Sequence, residues 1–256
     1  MKKRSTSHIT RKYISRLKKV NNKSKISIII SAFAADLYIK ECLFSIDNQT
    51  YFEYFNDYEI LVGIDGCPST LAEVSKFKDT IRNLKVIWFP VNSGPYLVFN
   101  TLVSLSKFQT ISIFGADDIM EENFIEHNLS LLKNKSCVFA MGCNFTHPHK
   151  EEKQKKYNPE GVILFNKSNF VSINGFEPWR CGADSDLKNR FKILGLTLIN
   201  ANTATYLRRL HKDSLTASDN IYGFGGEYRK KIQKIVKARK TAKIEKYCIL
   251  SNYQII

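Results

Sequence analysis

A chain of 256 residues with 43% apolar and aromatic residues and 25% charged ones can bury a full core, which excludes disorder and a disulfide scaffold as its organising principle. The formal net charge of +15 is concentrated at residues 1–25, with ten Lys or Arg and no acid, and at residues 229–246, with nine more against Glu245 alone. Such ends attract polyanions, nucleic acid and anionic lipid headgroups included.

Residues 25–30, KISIII, read as a first strand. Residues 37–48 then place Tyr38, Ile39, Cys42, Leu43 and Ile46 at three- and four-residue spacings, the stripe of an amphipathic helix with Asp36 as its N-cap. Residues 58–64, YEILVGI, form a second strand that ends at Asp65-Gly66-Cys67-Pro68, after which Ser69 caps a helix over 70–77. A third strand at 84–89, a helix at 96–105, a fourth strand at 110–114 and a helix at 121–132 follow, with Glu121 and Glu122 in the last helix's first turn. This is the order of an α/β fold with a mostly parallel central sheet covered on both faces. Right-handed crossovers collect the loops 31–36, 65–69, 92–96 and 115–119 along one rim.

Beyond 137–143 the alternation weakens. Residues 147–157, HPHKEEKQKKY, read as a polar surface loop carrying His147 and His149. Residues 161–165 read as a strand, 167–173 as a short helix, 187–194 as a longer one starting near Asp184, 203–209 as an edge strand and 228–247 as a basic helix. The expected organisation is a basic arm (1–24), one domain (25–224, with halves at about 25–135 and 136–224) and a basic helical segment (225–256). Six cysteines form no Cys-x-x-Cys pair, so reduced, mostly buried thiols are expected. No stretch reaches the roughly 18 consecutive apolar residues of a spanning helix, and residues 1–25 lack the apolar centre of a secretory signal. A cytoplasmic location, with the option of resting on a membrane surface, is the expectation.

The run 110–118, TISIFGADD, ends a strand on two adjacent carboxylates, Asp117 and Asp118. Like charges disfavour both being ionised. A divalent cation, Mg²⁺ or Mn²⁺, that also bridges two phosphates of a ligand removes that conflict; helix capping is the structural alternative. Asp65, before the turn at Gly66, either accepts from a nucleobase or ribose or ties its own turn. Asp184, after Gly182-Ala183, is either the N-cap of a helix or a general base, with an Asp186–Arg190 pair stiffening its support. His211, in LRRLHKDSLT, suits a third metal ligand, and Arg208, Arg209 or Lys212 can face phosphate oxygens; a solvated basic loop is the alternative.

Four segments, SIIISAFAADLYIKECLFSIDNQT, YEILVGIDGC, ISIFGADDIM and GFEPWRCGADSDLKNRF, together resemble family 2 of the glycosyltransferases over roughly residues 25–216. The resemblance implies a GT-A fold, a single Rossmann-like nucleotide-binding domain with an acceptor-side extension. It implies metal-dependent, inverting transfer of a sugar from a nucleotide diphosphate donor, UDP-linked, to a hydroxyl of a glycan, lipid or protein. Asp184 matches the base. Asp117, with Asp118 and His211, matches the metal site, and Ser31, Phe33, Asp65, Asn92, Gly94, Ala116 and Asp117 lie along the implied nucleotide path. Phe176, Trp179 and Asp186 are assigned to the acceptor; Phe176, Trp179 and Tyr157 can stack on a sugar ring, although Trp179 equally suits a core anchor. The Gln-any-any-Arg-Trp signature of the family's polymerases is missing, which favours a single-sugar transferase. Ile64, Gly115 and Ala183 stand where the family usually carries acids, which shifts the metal burden to Asp117 and Asp118.

Two other classes compete. A nucleic-acid-binding module would use the basic ends, but the chain has no paired Cys/His finger and no aromatic-basic RNA signature, so no specific nucleic acid is expected. A non-catalytic membrane-associated module would use residues 1–24, where Ile9, Tyr13, Ile14 and Leu17 fall near helical spacing among cations; a disordered basic tail is the alternative.

Overall fold

The computed structural model describes residues 24–53, 55–133, 135–146, 156–157, 160–217 and 221–256. Residues 1–23 of the basic arm, His147 and His149 lie outside these residues, as does the side chain of Tyr157.

In β1 (Ile26–Ala32), Ile26, Ile28 and Ile30 enter one apolar layer and Ile29 the other, as strand alternation requires. β2 (Tyr58–Asp65) and β4 (Thr110–Gly115) flank it in parallel, and β3 (Leu84–Phe89) lies parallel beyond β2. Layers on both faces explain why these strands read as apolar runs.

The helices between them are α1 (Ile39–Asp47), α2 (Pro68–Ser75) and α3 (Pro95–Leu105). Two expected caps are corrected. Tyr38, not Asp36, precedes α1, and Asp36 instead accepts a hydrogen bond from Ser69 Oγ at 3.2 Å. Pro68 opens α2 directly after Cys67, ahead of Ser69, since proline pre-sets the helical φ and needs no N–H partner there. At Gly66 the chain turns with φ +69°, and an added Cβ would stand 2.4 Å from Asn92 N, so the loops after β2 and β3 meet there.

A short strand, β5 (Ile119–Met120), delays the next helix, α4 (Phe124–Leu132). Glu121 therefore sits outside the helix with its N–H on Thr205 O at 2.9 Å, and Glu126, not Glu121 or Glu122, is the first-turn acid.

The second half is mixed. β6 (Cys137–Thr146) pairs antiparallel with β7 (Lys156–Tyr157) and β8 (Ile163–Asn166), and β8 joins it to β4. After α5 (Lys167–Ser172) and α6 (Ala183–Ile193), β9 (Leu198–Leu210) lies between β6 and β5. The expected edge strand at 203–209 is thus an interior strand of 13 residues, paired on both sides.

α7 (Glu227–Ala238) ends well before residue 247, because Arg239 leaves the helix and turns its guanidinium inward to Asp186 and Glu177. Residues 240–256 then run back over the domain. Asn174 Nδ2 donates to Ile244 O at 2.6 Å, Leu250 N to Thr101 Oγ1 at 2.8 Å, and β10 (Gln254–Ile255) pairs antiparallel with β3. The strand order is β10-β3-β2-β1-β4-β8-β6-β9-β5. Cys42, Cys137 and Cys181 are buried and the other three half-buried, all as free thiols. Among the described residues no helix is long and apolar enough to cross a membrane.

Candidate active site

A cavity of about 520 Å³ opens at the carboxyl ends of β1, β2 and β4, the rim the crossovers imply. Ser31, Phe33, Asp65, Asn92, Gly94, Ala116, Asp117, Asp118, Asp184 and His211 all line it.

At one end Asp65, 2% exposed, accepts from Ser93 N at 2.7 Å and Gly94 N at 2.9 Å. It therefore ties the loop that starts α3 rather than its own turn. Burial pushes its carboxyl up, and the two amides oppose that shift. Arg180, which the sequence did not single out, extends this end by donating to Asn92 Oδ1 and, at 3.1 Å, to Asn92 O.

At the end of β4 the two adjacent carboxylates separate. Asp117 faces His211, with Oδ2 at 3.0 Å from Nε2, and the imidazole lies against the Tyr38 ring with centroids 4.6 Å apart. Asp118 turns inward, 7% exposed, and its Oδ1 accepts from Arg209 N at 2.9 Å. Burial first, and the charge of Asp117 second, push the Asp118 carboxyl well above the usual range. Arg209 is not at the cavity's disposal for phosphate: its Nε holds Asp117 O at 2.8 Å, its Nη2 pairs with Glu41 at 2.6 Å, and its guanidinium lies against the rings of Tyr38 and Phe145.

The third wall is the first turn of α6. Asp184 lies there with Tyr96 Oη donating to its Oδ1 at 2.9 Å. Burial raises the Asp184 carboxyl above the usual range, while the Tyr96 hydrogen bond pulls it back. Two residues on, Asp186 points away from the cavity and is fully buried, with Oδ2 at 2.6 Å from Arg190 Nε and Oδ1 at 2.6 Å from Arg239 Nε. Its assignment to the acceptor is therefore corrected: both oxygens are consumed inside the protein. Trp179 packs in the apolar layer with the Arg239 guanidinium 5.8 Å from its ring, outside the cavity lining. Phe176 lines the cavity floor but is 1% exposed, packed against Tyr96 at 5.0 Å between centroids, so its ring is wall rather than platform.

The chain matches the Glycosyl transferase family 2 model over residues 27–186, more than half its length. It belongs to glycosyl transferase family 2. A protein of Haemophilus influenzae described as an uncharacterized glycosyltransferase is 30% identical over 118 residues, 46% of this chain and 35% of that one. The Pasteurella multocida hyaluronan synthase is 28% identical over 159 residues, 60% of this chain and 15% of the synthase. The chain thus spans about a third or less of the length of these two relatives. Among solved structures, S. aureus TarS 1–349 in complex with UDP-GlcNAc superposes with a TM-score of 0.66 at 14% identity, over 84% of this chain and 66% of TarS. The mannosyltransferase PcManGT from Pyrobaculum calidifontis, in complex with GDP-Man and Mn²⁺, does so at 0.63 and 16%, over 79% and 65%. The fold is the GT-A-like one.

Family membership gives Gly115 a physical meaning. A Cβ there would stand 2.9 Å from Asp118 Oδ2 and 3.1 Å from Asp117 Oδ1. The space for a side chain at 115 is occupied by the two carboxylates that follow it.

Proposed function

We propose that the protein transfers a sugar from a nucleotide diphosphate donor to an acceptor hydroxyl with inversion at the anomeric carbon. The observation that carries this reading is that Asp65, Asp117 with His211, and Asp184 line one cavity at the strand ends of a GT-A-like fold. The likeness to folds seen with UDP-GlcNAc and GDP-Man supports a nucleotide-sugar donor.

Asp184 takes the proton of the attacking hydroxyl. A carboxyl raised by burial is a stronger base than an exposed one, and the hydrogen bond from Tyr96 fixes its orientation. The carbon–oxygen bond to the diphosphate breaks as the new glycosidic bond forms, and the proton stays on Asp184 until solvent removes it. The loop 92–95, gripped by Asp65, lines the nucleotide end.

The donor set fits a divalent cation only in part. Among the described residues no three His, Cys, Asp or Glu side chains converge to hold one. Asp117 Oδ2 and His211 Nε2 do converge, while Asp118 is withdrawn by its burial and by the Arg209 amide. Asp117 and His211 would hold such an ion, Mn²⁺ accepting the imidazole more readily than Mg²⁺, which prefers oxygen. It would supply positive charge against the leaving diphosphate.

Calorimetry with UDP and GDP, in Mn²⁺, Mg²⁺ or chelator, tests the reading together with a screen of nucleotide-sugars for hydrolysis. One nucleotide is expected to bind, and Asp117→Asn to weaken it roughly 10–100-fold in Mn²⁺, the scale of a charged ligand contact. Equal affinity in chelator removes the metal role, and no binding of either nucleotide removes the transferase.

A further inference from the structure

Arg229 has no task in the transfer described above. It stands in the first turn of α7, only 9% exposed, with Nε donating to Tyr222 O at 2.8 Å, and it lines the cavity. Its two Nη groups have no hydrogen-bond or ion-pair partner among the described residues. The guanidinium lies 5.3 Å from the ring centroid of Phe224, a cavity-lining side chain that is 52% exposed. Arg208 approaches the same ring at 6.0 Å and is oriented by Thr216 Oγ1 at 2.7 Å. The Asp184 carboxylate feels the Arg229 charge, but no described side chain takes the Nη donors of Arg229, so they stay open to a ligand in the cavity. Forked donors over an aromatic plane are what recognises a carboxylate or a phosphate.

Position within the cavity separates two sources of that anion. Arg208 precedes Arg209, whose amide holds Asp118 at the metal end. Ile232, one turn beyond Arg229 in α7, packs over Gly182, where an added Cβ would stand 2.9 Å from it, and Gly182 opens the helix that carries Asp184. Arg229 thus stands at the base end, where the acceptor hydroxyl must arrive. We propose that Arg229, with Phe224 and Arg208 as its wall, binds an anionic group, a carboxylate or phosphate, carried by the acceptor. The acceptor class is then an acidic or phosphorylated molecule rather than a neutral glycan. The word acceptor rests on the transfer reading; the anion site does not.

The test is calorimetry on the full chain saturated with UDP and Mn²⁺, so that the donor's phosphate positions are filled, titrated with the matched probes glucose, glucuronate and glucose 6-phosphate. At least one anionic probe is expected to bind roughly tenfold or more tightly than glucose, the scale of a charge-assisted contact. Arg229→Gln is expected to erase that preference and Arg229→Lys to keep part of it, since the charge remains while the fork is lost. UDP affinity is expected to stay within about twofold in both variants. Equal binding of glucose and both anions, or an undiminished preference in Arg229→Gln, overturns the proposal. So does anion binding that vanishes when UDP is present, which would assign Arg229 to the donor's diphosphate.

Arg229 also anchors Tyr222, so a melting midpoint accompanies each variant. If Arg229→Gln does not fold, Arg208→Gln with Phe224→Leu removes the wall instead, and an unchanged preference there counts against the proposal. If UDP does not bind, GDP replaces it; if neither binds, the transfer reading falls, and the same titrations are run without nucleotide. Arg229-dependent binding of glucose 6-phosphate or glucuronate then upholds the site, and its absence overturns it.

Discussion

The two ends of the cavity hold their carboxylates differently. At the nucleotide end, Asp65 has both oxygens on amides of the 93–94 loop, and Asp118 has one on the amide of Arg209. At the other end, Asp184 is held by a phenol, Tyr96, and by the turn of its own helix. Amides belonging to distant loops make a carboxylate a clamp, whose removal loosens the wall. A carboxylate oriented by a single side chain keeps lone pairs for a ligand. Burial raises all three carboxyls, so the direction of that shift alone does not tell clamp from base; the partners do.

The largest effect that sharpens this contrast is Asp184→Asn. Transfer is expected to fall roughly 10²–10⁴-fold, about 3–5 kcal/mol in the transition state, with nucleotide affinity and melting midpoint unchanged. Initial rates, calorimetry and a melt on one preparation check it. Near-wild-type transfer would make Asp184 another clamp.

Next comes Asp186→Ala, on the same helix and on the structural side of the comparison. It leaves the fully buried Arg190 without a carboxylate and Arg239 with Glu177 alone. The loss is expected at about 3–5 kcal/mol of stability, read by urea unfolding. A loss below about 1 kcal/mol would show that the network is not a clamp.

The smallest is Tyr96→Phe. Its hydroxyl favours the ionised form of Asp184, against a pKa that burial has already raised. Removing it moves that pKa further up. A base must be ionised to act, so the acid limb of the kcat/KM profile should move to higher pH. Transfer at fixed neutral pH should fall roughly 3–10-fold, the scale of one hydrogen bond. A limb that stays put or moves to lower pH would break the assignment of Tyr96 as the residue that orients the base.

The same two-ended structure explains what was legible in the sequence. Carboxylates at the ends of β2 and β4 are local events, an apolar run followed by a turn, so Asp65 and Asp117 could be read from neighbouring letters. The partners could not. Tyr96 meets Asp184 across 88 positions and Arg209 meets Asp118 across 91, and no short window contains either pair. Resemblance assigned Asp186 to the acceptor, while its i, i+4 spacing to Arg190 already read as a supporting pair, which is present. Arg239, which takes the other oxygen, arrives 53 positions later from beyond α7 and lay outside any local window. Tertiary pairing also moved the expected edge strand at 203–209 into the sheet interior, because β5, two residues long, is too short to announce itself as its neighbour. Arg229 was one more cation in a basic stretch; only its i, i+3 relation to the buried Ile232 hinted at an inward face.

The return run of residues 240–256 has a consequence in time. Asn100, in the middle of α3, gives its carboxamide to Phe176 O and Cys248 O, and Thr101 receives Leu250 N across 149 positions. Closing a loop of that length forfeits about 4 kcal/mol of chain entropy, so these bonds are expected to form after the parallel strands have collapsed on their neighbours. During synthesis at roughly 5–20 residues per second, α3 waits on the order of ten seconds for the segment that completes its hydrogen bonds. α3 also carries Tyr96, so the helix that braces Asp184 lacks its last hydrogen bonds, and the sheet its β10 edge, until the return run is made.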